Sequence, residues 1–137
     1  DYLDKKFIPV TFGDVVLDRK LGFSICSGDI LIQALAEHFK PKRVIFAIDE
    51  DGIYTSNPKI DKKAKLIEKT TIKDLIKYTT AMDDHDDVTG GMGGKIETIK
   101  NISKSGVEIV LLNGNKPDRL YKALIGKYTK STIVYGE

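Results

Sequence analysis

Residues 87–95 read Asp87-Val88-Thr89-Gly90-Gly91-Met92-Gly93-Gly94-Lys95. Glycines let backbone N–H groups turn inward toward an anion at little steric cost. An apolar pattern of helical spacing, Ile96, Ile99 and Ile102, starts right after Lys95. A helix beginning there adds the positive end of its dipole, and Lys95 adds a full charge. The run is read as a phosphate cradle, which points to a nucleoside triphosphate. A glycine-rich linker without chemistry is the other reading. The run is not a Walker A loop, because that motif follows a strand and places Ser or Thr after its Lys. Here Ile96 follows Lys95.

Three further groups of residues bear on the chemistry. Asp49-Glu50-Asp51-Gly52-Ile53-Tyr54 follows the apolar run Val44-Ile45-Phe46-Ala47-Ile48. Asp and Gly are ordinary turn residues. The functional reading sets Asp49, Asp51 and Gly52 beside a ribose or phosphates, with Tyr54 walling the base. Ser27-Gly28-Asp29 opens an apolar helical pattern, and helix capping by Ser or Asp is the favoured reading. In the other reading, Asp29 orients lysines around a moving phosphoryl group and Gly28 lets a substrate approach the backbone. Asp83-Asp84-His85-Asp86-Asp87 is rich in oxygen donors of the kind that suit Mg²⁺. Adjacent residues rarely all reach one ion, so a solvated acidic loop is expected and no protein-held metal site. His38 is expected on a helix surface, and Cys26 as a small packed residue.

The elements that must position these residues alternate between strand and helix. Phe7 to Phe12 reads as a short buried strand, although Pro9 lacks a ladder donor. Val15-Val16-Leu17 and Phe23-Ser24-Ile25 flank a polar turn with Gly22, which predicts a hairpin. Ile30, Leu31, Ala34, Leu35 and Phe39 form the apolar stripe of a first helix that Pro41 stops. Val44 to Ile48 predicts a parallel strand covered on both faces. Residues 49–65 are loop-like. Ile72, Leu75 and Ile76 mark a second helix, and Ile96, Ile99 and Ile102 a third, closed by Gly106. Val107 to Leu112 predicts a strand. Pro117 opens a fourth helix with Leu120, Ala123 and Leu124 inward, and Thr132 to Tyr135 a last strand. This is an α/β pattern, predicting a three-layer αβα sandwich around a mainly parallel sheet. Ligands of such sheets gather beyond the carboxyl ends of the strands, where Gly13-Asp14, Asp49 and Asn113-Gly114 are expected to fall.

The chain has 137 residues, 41% hydrophobic and 31% charged, which suits one soluble domain. Its net charge of +2 argues against a dedicated nucleic-acid binder. No apolar run is long enough to span a bilayer, so no membrane partner is expected. The single cysteine suits a reducing cytoplasm. The sequence starts at Asp1 with strand-like residues close behind, and is expected to be a fragment or processed half.

Taken in order, these segments resemble the amino acid kinase superfamily, and within it the isopentenyl phosphate kinases. The matching residues are Ile8-Pro9-Val10 with Gly13-Asp14-Val15, Ser27-Gly28-Asp29, Asp51-Gly52-Ile53-Tyr54, Asp87-Val88-Thr89-Gly90-Gly91-Met92 with Lys95, and Asn113-Gly114-Asn115. The resemblance implies the carboxyl-terminal, nucleotide-binding half of a kinase that uses ATP and Mg²⁺. The acceptor would be a small phosphorylated molecule, most simply isopentenyl phosphate. Fosfomycin, uridylate and amino acid acceptors, or a non-catalytic nucleotide-binding lobe, are the alternatives. It also implies that Lys95 contacts the ATP phosphates and that Asp29 organises active-site lysines. Asp49, Asp51, Gly52, Tyr54, Gly90 and Gly91 would touch the nucleotide. Ser27, Gly28 and Asp14 would line the acceptor side, and the complete protein would be a homodimer. Glu50 departs from the Val usual between the two aspartates.

Overall fold

The structure is a computed structural model, and it describes residues 3–80 and 92–136. The chain enters through a hairpin, β1 (Asp14–Asp18) and β2 (Gly22–Cys26), paired antiparallel as the alternation predicts. Asp18 makes the reversal. Its carboxylate accepts the N–H groups of Lys20 and Leu21 at 2.7 and 2.9 Å. Helix α1 (Gly28–Phe39) follows, with Ser27 as N-cap accepting the Ile30 N–H at 3.3 Å. Lys40 takes a left-handed conformation and Pro41 prevents further turns.

Strand β3 (Arg43–Ile48) then runs back beneath α1. After β4 (Lys69–Thr71) and α2 (Ile72–Thr80), the described chain resumes in α3 (Met92–Ser103), which leads into β5 (Glu108–Asn113). The short turn between α3 and β5 carries Gly106 at φ 70°, as expected of its helix end. A short helix α4 (Arg119–Leu124) and strand β6 (Ser131–Tyr135) complete the fold. The sheet order is β3-β5-β6-β4. β3 pairs β5 in parallel, β5 pairs β6 antiparallel, and β6 pairs β4 in parallel. The expected α/β sandwich is present, with a mixed sheet. The connection through α4 returns the chain so that β6 runs antiparallel to β5, with Leu112 opposite Ser131.

One face of the sheet carries the larger core. Val44, Phe46, Ile109, Leu111 and Val134 pack there against Ala36 of α1, Leu75 of α2, and Ile99 and Ile102 of α3. The opposite face is a smaller cluster of Val110, Leu112 and Ala123, with Ile45 and Ile133 against it. Arg43 spans this second layer, pairing with Glu108 and donating to the Ala123 carbonyl at 2.6 Å.

Several local expectations are corrected. Residues 7–12 form no strand, and Ile8, Val10 and Phe12 are exposed. No described strand lies alongside them, so the ladder that would define a strand is missing, and Pro9 would weaken it further. In α1 the buried positions are Ala36 and the half-buried Ile32, while Ile30, Leu35 and Phe39 are exposed. The helix meets α3 and β3 along a line one residue rotated from the apolar stripe. Leu120 and Leu124 are exposed too, since six-residue α4 covers the sheet through Ala123 alone. Helix α3 begins at Met92, ahead of its apolar pattern, so Gly93 and Gly94 are helical. Strand β4 has only three residues and no readable alternation.

Thr132 ties the layers at the fully buried start of β6. Its hydroxyl accepts the Ile53 N–H at 2.7 Å and donates to the Ile67 carbonyl at 2.6 Å. Thr132→Val keeps the shape and strands both partners, so it is expected to lower unfolding free energy by about 1–3 kcal/mol. Urea unfolding of the two proteins measures this, and Thr132→Ser should retain most of the stability.

Candidate active site

Because β3 and β5 are parallel and each follows its helix through a short turn, α1 and α3 begin at the same edge of the sheet. That edge lies beyond the carboxyl ends of both strands. Asp29 stands in the first turn of α1 and Lys95 in the first turn of α3. The Lys95 ammonium donates to both carboxylate oxygens of Asp29, at 2.9 and 3.2 Å. A lysine at a helix N-terminus opposes the helix dipole, and α3 has no acidic residue in its first turn. Asp29 supplies the missing negative charge from the neighbouring helix. Beneath the ammonium lies the ring of Phe46, 5.2 Å from nitrogen to ring centroid.

A second cluster forms where the turn after β3 meets the starts of α4 and β6. Asp51 accepts Arg119 Nη1 at 2.5 Å on one oxygen and pairs with Lys130 Nζ at 2.7 Å on the other. Its side chain is only 16% exposed, so both oxygens are used within the protein. The Lys130 hydrogen bond holds the Asp51 carboxyl below the usual carboxylate range; burial opposes it, and Arg119 adds to the lowering. The same bond raises Lys130. The Tyr54 hydroxyl reaches Asp51 at 3.5 Å, and Tyr54 bridges Leu66 in an isolated antiparallel pair.

Gly52 is pressed against β6. Its φ is +151°, and a Cβ there would lie 2.4 Å from Thr132 Oγ1 and 2.8 Å from Thr132 N. Only glycine allows that approach. Asp49 is exposed. Its carbonyl accepts the Asn113 side-chain amide at 2.7 Å, which ties the ends of β3 and β5 together. Its carboxylate stands 3.7 Å from Lys59, which also meets Glu50 at 3.2 Å.

The predicted residues are thus distributed unevenly. Asp29 and Lys95 are in contact, and so are Asp51 and Tyr54. Ser27 caps α1, in agreement with the simpler reading, and the space around Gly28 is open. Asp14 is exposed at the start of β1, its carboxylate accepting the Val15 N–H at 2.7 Å. Gly90, Gly91 and the acidic residues 83–87 lie outside the described residues. The sequence did not single out Phe46, Arg119, Lys130 or Lys59. Lysines and arginines on polar stretches carry no periodic signal, and Phe46 reads as core.

The sequence matches the amino acid kinase family over residues 1–113. The chain belongs to the amino acid kinase family. It is 39% identical to an isopentenyl phosphate kinase of Methanothermobacter thermautotrophicus, over 99% of this chain and 52% of that protein. It is 35% identical to another from Methanocaldococcus jannaschii, over 100% of this chain and 50% of that protein. A solved isopentenyl phosphate kinase structure superposes with a TM-score of 0.74 at 35% identity, covering 97% of this chain and 48% of its own. The chain spans about half the length of these amino acid kinase relatives. A UMP kinase from Ureaplasma parvum, at 21% identity and TM-score 0.57, shares the fold.

The Asp51 cluster makes stability depend on acid pH. Its folded value is lowered, so its contribution is complete above the unfolded carboxylate value of about 3.9. The contribution is lost as pH falls through the folded value. At pH 7, Asp51→Asn is expected to cost about 1–3 kcal/mol, as for other hydrogen bonds to charged groups. Thermal melts across pH 7 to 3 should show the gap between wild type and variant closing below about pH 4. A constant gap would exclude this ionisation as its cause.

Proposed function

We propose that this chain forms the nucleotide-binding lobe of an isopentenyl phosphate kinase. The reaction transfers the γ-phosphoryl group of ATP to a phosphate oxygen of isopentenyl phosphate, giving isopentenyl diphosphate and ADP. The observation that carries the proposal is the Asp29–Lys95 contact at the sheet edge where two helices begin. Identity of 35–39% to isopentenyl phosphate kinases along nearly the whole chain supports it.

Phosphoryl transfer asks for positioning and charge neutralisation more than covalent chemistry. Two anionic groups must meet in line. In this reading Lys95 meets the β- and γ-phosphates, and the resemblance assigns Gly90 and Gly91 to the same phosphates. Mg²⁺ enters as part of the nucleotide substrate. Asp29 holds Lys95 and further lysines in place and takes no proton. The acceptor is already an ionised phosphate, so a strong general base is not required. Asp49 and Tyr54 contact the nucleotide. Asp51 and Gly52 shape the turn that carries them, through Arg119, Lys130 and Thr132. Ser27, Gly28 and Asp14 face the acceptor.

The acceptor is proposed to sit largely in a further lobe, seated on the apolar surface of residues 8–25. Val10, Leu17 and Ile25 are exposed there, at 88%, 95% and 75%. Large apolar side chains exposed together in one segment are a candidate interaction surface. A cytoplasmic setting and a homodimer of the complete kinase belong to the same proposal, carried by the resemblance alone.

In the complete kinase, Lys95→Ala is expected to lower turnover at saturating MgATP by about 10²–10³-fold, as for other lost transition-state donors. Unchanged turnover would remove Lys95 from the mechanism. In the same assay isopentenyl phosphate should be preferred to UMP, glutamate and fosfomycin, and preference for any of these would reassign the acceptor.

A further inference from the structure

Asp29 holds the Lys95 ammonium from one side, through both carboxylate oxygens. Asp29 is itself 35% exposed, and lysine has four rotatable side-chain bonds whose freedom opposes any single placement. The second constraint comes from below. Phe46 lies in the middle of β3, 5% exposed, in register with Leu111 of β5 and within the core that α1 and α3 cover. Its ring is therefore held by strand and core together, whereas Asp29 stands at a helix end. The ammonium, 5.2 Å from the ring centroid, is within reach of the negative face of the π system. The Lys95 side chain is 22% exposed, so much of its hydration is already lost. An aliphatic residue of similar size could fill the core at this point. It would leave that side of a partly desolvated cation without compensation.

We propose that Phe46 is a positioning residue for Lys95: its ring seats the ammonium, so that ring and carboxylate together define where the charge stands. The role in phosphate binding rests on the proposed function of Lys95; the seat itself does not. An aromatic ring at position 46 therefore serves two ends, filling the core and directing a charge toward the sheet edge.

The test uses the full 137-residue chain with mono-, di- and trifluorophenylalanine at position 46, together with Phe46→Leu and Lys95→Ala. Fluorine withdraws charge from the ring face and alters its shape little, so packing and π attraction are separated. In wild type, the Lys95 ε-methylene proton resonances should be displaced upfield by the ring, and Phe46→Leu should return them to ordinary lysine positions. Across the fluorinated series the MgATP dissociation constant should rise in steps, reaching about three- to tenfold, while the melting temperature stays level. Lys95 resonances that ignore Phe46→Leu overturn the seat. A flat dissociation constant across the series, with Lys95→Ala weakening MgATP, overturns its role in binding. If Lys95→Ala leaves MgATP binding unchanged, the phosphate reading of Lys95 is what fails, and the resonances alone decide the seat.

Discussion

The parallel pairing of β3 and β5 is the constraint from which the candidate site follows. Six residue pairs, from Arg43↔Glu108 to Ile48↔Asn113, fix the two strands in one direction. Each strand is entered from a helix through a short turn, so both helices must start at the strands' carboxyl end. Asp29 and Lys95 are 66 residues apart in the chain, yet this geometry brings them into contact. The edge then gathers two helix N-termini and the Asp29–Lys95 pair. Backbone N–H groups at helix N-termini suit an anionic ligand.

A second set of contacts keeps that edge rigid. Strand β6 starts beside the end of β5, because the two are antiparallel with Leu112 opposite Ser131. This brings Thr132 under the turn that follows β3, and Lys130 beside Asp51. Asp51 is enclosed by two cations and little exposed, so its pairs contribute appreciably. The exposed contact of Lys59 with Asp49 is screened by water and contributes little. Of the two aspartates in the turn, Asp51 is committed to structure, while Asp49 remains open to solvent. The protein thus spends one acid on holding the loop and leaves the other at the surface of the edge.

The two faces of the sheet are covered unequally. Three helices cover the face that carries Phe46, and the six-residue α4 covers the other through Ala123. The hairpin and the residues before it add almost nothing to either core. Their apolar side chains point to solvent, and this surface is the part of the molecule that the proposed acceptor lobe would complete.

Sequence alone determined the elements with strong local signals. The hairpin, the capped first helix, both apolar strands and the glycine that ends α3 are written in turn residues, caps and short-range periodicity. Ser27, Gly22 and Gly106 each act within a few residues of themselves, so one chain segment suffices to read them. The approach of Asp29, Asp49 and Lys95 to one edge was legible through strand–helix alternation. Tertiary structure decided what depends on a distant partner. Residues 7–12 look like a strand, but a strand exists only where a neighbour supplies its ladder. The apolar stripe of α1 misjudged the buried side, because the face is chosen by where α3 lies and not by composition. The direction of β6, the enclosure of Asp51 by Arg119 and Lys130, and the Phe46 ring beneath Lys95 are all long-range pairings. Periodicity reports which residues avoid water; it carries no information on which remote charge or ring will meet them.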